Sequence, residues 1–188
     1  MPFAHSNKRG ENAIKAAKAQ AQNGPKFGTG LCLQRVRICF EVAALYSDAS
    51  AAWRNAKKKH PTSDFNEIPR GVPIFWTGGP SGHGHVAIAT GDGECWSTDI
   101  RRGGYFSKVP IGEIAAKWGH KFEGWTEDIN GVTVYTPPKK PVTRGPKVDA
   151  ALKDLREAEA AAKPGGKRAG ILRRARAFIV KNLPGRAK

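Results

Sequence analysis

The chain reads as an α+β protein, with helices first, an antiparallel sheet after them and a basic helical hairpin at the end. Three observations predict this. Apolar residues recur at helical spacing up to about residue 45, and short runs alternate at strand spacing between residues 72 and 100. The composition then breaks at Pro137, where PPKKPVTRGP holds four prolines in ten residues.

Residues 9–22 are good helix formers with Ala13, Ile14, Ala17 and Ala21 on one side, and Asn23-Gly24-Pro25 stops the helix. The glycine-spaced segment PKFGTG leads into CLQRVRICFEVAALY, where Val36, Phe40 and Ala43 recur at helical spacing. Cys32 therefore falls at the first turn of a second helix, with Cys39 under the same face. A polar stretch around KKKHPTSDFNEIPRG separates these helices from the strand-like runs VPIFW, HVAIAT and ECWSTDI. Gly91-Asp92-Gly93 joins the last two runs as a hairpin turn. Further short strands are expected near Gly103 to Val109 and at GVTVY, with IGEIAAKWG as a short helix between them. Helices followed by a run of strands define the α+β plan.

The domain boundaries follow from composition. Residues 1–136 form the folded body, 137–147 a stiff proline-rich linker, and 148–188 the basic hairpin. In the hairpin Val148, Ala151, Leu152, Leu155 and Ala158 make one apolar stripe, and Ile171, Leu172, Ala175, Phe178 and Ile179 make another. Pro164-Gly165-Gly166 separates them.

Lys and Arg outnumber Asp and Glu by 32 to 16, a formal +16. Residues 137–188 hold 15 Lys and Arg against 4 Asp and Glu, net +11, which leaves +5 for the body. Such a charge predicts a polyanionic partner: nucleic acid, an anionic membrane surface, or a bacterial wall with acidic polymers, each held less tightly as salt rises. There is no apolar run of about 18 residues, so no membrane span is expected. The start MPFAHSNKRGENAIK lacks the pattern of a secretory signal, and the expectation is a protein made in the cytoplasm. The three cysteines, Cys32, Cys39 and Cys95, are odd in number and lack metal-ligand spacing, which argues against a disulfide framework and permits a catalytic thiol.

Cys32 is the candidate nucleophile. A helix N-terminus favours the thiolate, and Gly28 and Gly30 let backbone and substrate approach, with nearby N–H groups available for an oxyanion. The competing reading of a lone cysteine at a helix start is a small buried packing residue. The hairpin bears on the choice. In a strand, Val86 and Ile88 face one way while His85, Ala87 and Ala89 face the other, and the small alanines leave room for a helix start to approach. A three-residue turn at Gly91 to Gly93 pairs 89 with 95, 87 with 97 and 85 with 99. Asp99 then stands across from His85 as the group that orients a base, with Ser97 one step inward on the same face. The alternatives are a solvent-facing strand histidine, or a metal pair of His83 and His85; no third ligand at a familiar spacing follows, so no metal and no cofactor is expected. His60 reads as solvated, Cys39 and Cys95 as packing residues, and Trp76, Trp96 and Trp118 as either core or cleft walls.

Together these pieces resemble a known family. A leading helix, GPKFGTGLC at 24–32 opening a second helix, PRGVPIFW at 69–76 and GHVAIA at 84–89 look like the NlpC-type and CHAP-type papain-like cysteine hydrolases of bacterial cell walls. The likeness covers roughly residues 10–135. It implies a cysteine helix packed on an antiparallel sheet, Cys32 and His85 as the catalytic pair, Asp99 as the third member in the CHAP manner, and no cofactor. NlpC-type members have a second histidine about where Ser97 stands, and commonly a tyrosine where Phe27 stands, and the D-C-S-G context of the cysteine is missing here. Gly30, Trp76 and Ser97 are the expected substrate-binding positions. Members often occur as phage endolysins or virion-associated lysins without a signal peptide. The implied activity is cleavage of an amide bond in the peptidoglycan peptide, endopeptidase ahead of N-acetylmuramoyl-L-alanine amidase, with the basic tail on peptidoglycan and anionic wall polymers. The alternative is a nucleic-acid-binding protein, or a virion structural protein without turnover, that works through the tail.

Overall fold

The computed structural model describes residues 8–138, 146–162 and 166–182. Two compact units divide the chain at Pro138. The proline-rich segment expected at 137–147 falls mostly outside the described residues.

The first unit begins with three helices, α1 (Lys8–Asn23), α2 (Cys32–Cys39) and α3 (Ala49–Asn55). Helix α1 has the bounds its composition predicts. Helix α2 starts at Cys32 as expected but is shorter than its apolar pattern suggests. It ends in a double C-terminal lock, in which Glu41 N–H donates to Ile38 O and Val42 N–H to Arg37 O, both at 2.9 Å. Glu41 takes φ 56 there, a position usually given to glycine, and Ala43 is left exposed beyond the helix. Helix α3 is absent from the sequence expectation. Its signal was Asp48, whose carboxylate accepts from Ala51 N–H at 2.8 Å as an N-cap.

A six-stranded antiparallel sheet follows in the order β1-β6-β2-β3-β4-β5. Its strands are β1 (Lys59–His60), β2 (Pro73–Thr77), β3 (His85–Ala89), β4 (Glu94–Thr98), β5 (Phe106–Pro110) and β6 (Lys121–Thr126). The hairpin register is the one the three-residue turn requires, with Ala89 opposite Cys95 and Ile88 opposite Trp96. Helix α4 (Ile111–Trp118) lies where IGEIAAKWG predicts it and stops at Gly119, φ 67. Strand β6 is unanticipated; it inserts between β1 and β2, a non-local pairing that local pattern does not encode. GVTVY supplies only Val132–Thr133 (β8), paired with Asp128–Ile129 (β7) in a separate ladder.

Strand alternation sorts the core into two layers. Phe75, Val86 and Ile88 face α1, α2 and α3, and pack with Ile14, Leu33, Val36, Phe40 and Trp53. Ile74, Trp76, Ala87, Ala89, Cys95 and Val109 face the other way and pack with Ile111 and Ile114 of α4, Trp125 and Tyr135. Helix α2 thus covers the valine and isoleucine side of β3, not the alanine side expected to receive it. The small alanines instead admit bulky partners from α4 and β2.

The second unit is a pair of helices, α5 (Pro146–Ala161) and α6 (Lys167–Asn182), in contact with each other. Leu152 is buried, and Glu159 binds Arg173 and Arg176 across the pair at 3.1 and 3.4 Å. Only part of the expected second stripe turns inward: Leu172 and Ala175 are half-buried, while Ile171 and Phe178 face solvent. No described helix is long and apolar enough to cross a membrane.

Candidate active site

Cys32 and His85 line one cleft of about 620 Å³ together with Gly30, Asp48, Asp99, Trp118 and His120, among others. They reach it from opposite sides of the sheet. Cys32 heads α2 above Val86, while His85, by alternation, sits on the Trp76 and Ala87 side. The first residue of β3 is therefore where the two layers meet. Gly84 makes this junction possible: its φ is 66, and a Cβ there would lie 2.3 Å from the Trp76 carbonyl oxygen and 2.6 Å from Ser50 Oγ.

The sulfur is buried, with Cys32 9% exposed. Burial pushes its pKa up to about 11, against hydrogen bonds from the backbone at Val86, Leu33 and Cys32 that lower it, and the Asp99 charge adds to the rise. The expected lowering by the helix start is thus outweighed, since desolvating a thiolate costs more than a few backbone dipoles return. Burial likewise raises Cys39 to about 12, and it raises Cys95 further. Both pack in the core as expected, and no disulfide links any of the three.

His85 is 4% exposed, and its Nε2 lies 2.8 Å from Ser97 Oγ. The Ser97 hydroxyl can donate to the Thr98 carbonyl at 3.3 Å, so the arrangement that satisfies both groups has Nε2–H donating to Ser97. Nδ1 then carries the lone pair of a neutral imidazole. Burial, and secondarily the nearby His120, push the His85 pKa down to about 3. Trp76 and Trp118 hold the ring, at centroid distances of 5.7 and 5.0 Å.

Asp99 does not orient His85. It lies one residue past the end of β4 with φ 65, and this left-handed turn swings its carboxylate away from the ladder. One oxygen accepts from Gly104 N–H at 2.6 Å and the other from Gly30 N–H at 3.2 Å. Asp99 thereby ties the loop ahead of Cys32 to the turn after β4. Phe27 N–H donating to the Gly104 carbonyl at 3.0 Å is a second tie between the same loops. The Gly30 N–H is consequently committed to Asp99. The N–H groups of Cys32 and Leu33, in the uncapped first turn of α2, are the ones near the sulfur.

The remaining expectations divide. Gly30 lines the cleft, but Trp76 is fully buried behind His85 and Ser97 is fully buried beneath it, so neither is a cleft wall. Trp118 is one. His83 also lines the cleft, and no group of three metal-ligating side chains exists among the described residues. His60, expected in solvent, stacks on Trp125 at 3.8 Å and pairs with Glu127 at 3.0 Å. Sequence reasoning missed Asp48 and His120. Asp48 had its helix-cap signal; His120, which enters the cleft just past α4, had none. Asp48 and Asp99 are the only acidic residues lining the cleft, and no Lys or Arg lines it among the described residues.

No protein-family model, curated protein or solved structure matches the chain.

Proposed function

We propose that the protein is a papain-like cysteine hydrolase of the NlpC/CHAP type, an endolysin-like enzyme that cleaves an amide bond in the peptidoglycan peptide. The observation that carries this reading is the shared cleft, lined both by a helix-start cysteine and by a buried strand histidine whose Nε2 is held by a buried hydroxyl. The family likeness of GPKFGTGLC and GHVAIA supplies the substrate class, and the basic tail suits an anionic wall.

Burial favours the neutral form of both members of the pair, and the mechanism that fits this is general-base attack. As Sγ of Cys32 bonds to the scissile carbonyl carbon, its proton passes to Nδ1 of His85, and the carbonyl oxygen becomes an oxyanion beside the Cys32 and Leu33 N–H groups. Collapse of this intermediate breaks the C–N bond, and His85 returns the proton to the departing amine. Water then attacks the thioester with His85 as base, releasing the carboxylate product and the thiol. Ser97 keeps Nε2 protonated throughout, which leaves Nδ1 as the base.

Cys32→Ala and Cys32→Ser should each lower lysis of purified cell walls by on the order of a thousandfold or more, with the unfolding midpoint little changed. Retained lysis in both variants would remove the assignment. Mass spectrometry of the wall fragments separates endopeptidase, the favoured activity, from amidase.

The raised thiol and lowered imidazole favour one second reading, a virion structural protein that keeps the fold without turnover. Thiol alkylation in the presence of wall fragments distinguishes the two. The hydrolase requires Cys32 to be alkylated ahead of the core thiols Cys39 and Cys95 and to be protected by wall fragments that fill the cleft, whereas a silent site shows no such protection.

A further inference from the structure

Helix α6 carries six Lys and Arg, at positions 167, 168, 173, 174, 176 and 181, and no Asp or Glu, while all four acidic residues of the pair lie on α5. Two of the six, Arg173 and Arg176, turn toward Glu159 of α5. The opposite side is different in kind. Lys167, Arg168, Ile171, Arg174 and Phe178 are all exposed. At about 100° per residue they share an arc of about 120°. Ile171 is 59% and Phe178 69% exposed, the two large apolar side chains of this unit that face water among the described residues.

We propose that this face of α6 docks on an anionic phospholipid bilayer, the helix lying in the plane of the headgroups. Ile171 and Phe178 reach the acyl boundary, and Lys167, Arg168 and Arg174 pair with lipid phosphates around them. Charge complementarity calls for a polyanion, and the apolar members select which one. A nucleic acid or a hydrated wall polymer satisfies the three cations but leaves an isoleucine in water; a lipid interface satisfies both chemistries on one face. A helix of 16 residues spans about 24 Å and carries six charges, so the mode is interfacial rather than spanning. The inference is independent of the cleft, and where it holds it moves the basic tail from wall polymer to lipid, leaving the hydrolase reading to rest on the cleft alone.

Co-sedimentation tests it directly. The full chain is mixed with vesicles of phosphatidylglycerol and phosphatidylcholine, with vesicles of phosphatidylcholine alone, and in parallel with a double-stranded DNA. Binding to the anionic vesicles and weak binding to the zwitterionic ones is expected, with loss as salt rises. The double substitution Ile171→Ser, Phe178→Ser should reduce vesicle partitioning by on the order of tenfold or more while helix content and DNA retention stay unchanged. Lys167→Gln with Arg174→Gln should weaken it as well. The proposal is overturned if anionic vesicles are not bound, or if the serine variant binds them as tightly as the unaltered chain. DNA retention without vesicle binding assigns the face to nucleic acid and overturns it equally.

Discussion

The cleft and the C-terminal helix pair solve opposite problems with opposite chemistry. The cleft is built from groups taken out of water: a 9% exposed cysteine, a 4% exposed histidine and a fully buried serine. No Lys or Arg lines it among the described residues, although the chain carries a formal +16. Helix α6 is the reverse, six cations on 16 residues with apolar side chains left in solvent. Geometry decides what the first region can do, because a misplacement of about an ångström undoes a reacting pair. Charge and exposed area decide what the second can do, and both tolerate loose placement.

The sharpest way to break this contrast is to alter shape in the cleft without touching charge. Gly84→Ala should destabilise the protein by about 2 kcal/mol or more, because the added methyl meets the Trp76 carbonyl and an alanine is strained at φ 66. Denaturant melts read the loss, and wall lysis should fall with it because His85 is the next residue. Ser97→Ala is subtler. It should lower kcat by about ten- to hundredfold, leaving the fold intact, since a buried ring nitrogen loses its partner and the tautomer is no longer held. Ser97→Thr, which keeps a hydroxyl, should recover part of the activity; equal activity in all three proteins would remove Ser97 from the mechanism.

The buried histidine also gives the first unit a pH signature. The unfolded chain accepts a proton on His85 near its ordinary 6.5, whereas the folded protein resists to about 3. Its contribution to stability is therefore present above 6.5 and is lost as pH falls from 6.5 toward 3. Denaturation midpoints measured from neutral pH downward should decline, and the decline should be shallower in His85→Gln. Smallest is the effect expected at the helix pair. Glu159→Gln removes the partner of Arg173 and Arg176, yet these arginines are partly exposed, so the cost should stay below about 1 kcal/mol and vanish in high salt. A larger loss would mean that the second unit depends on geometry as the first does.

Local chemistry was legible in the sequence. The bounds of α1, the start of α2 at Cys32, the GDG turn and the register of β3 on β4 follow from spacing over a few residues, because helix and strand periods and turn length are local constraints. The nearness of Ser97 to His85 was contained in that register too. The hydrogen bond between them was not, since the same count put Asp99 opposite the ring. Where the count failed, the ladder had already ended: one left-handed residue past β4 sent the Asp99 carboxylate to Gly30 and Gly104 instead.

Several features were decided by tertiary structure. The face of β3 that α2 covers, the insertion of β6 between β1 and β2, and the arrival of His120 in the cleft all depend on segments far apart in the chain. So does the direction in which the thiol shifts. A helix start beside a cysteine predicts a lowered pKa, and that local influence is present, but desolvation is summed over every neighbour that excludes water and it prevails. The sequence by itself determined the candidate pair Cys32 and His85 for the proposed chemistry and where the positive charge lies. The tertiary structure decided which groups share the cleft, in which direction burial shifts their proton affinity, and which apolar side chains of α6 are exposed, because each depends on which distant surfaces are brought together.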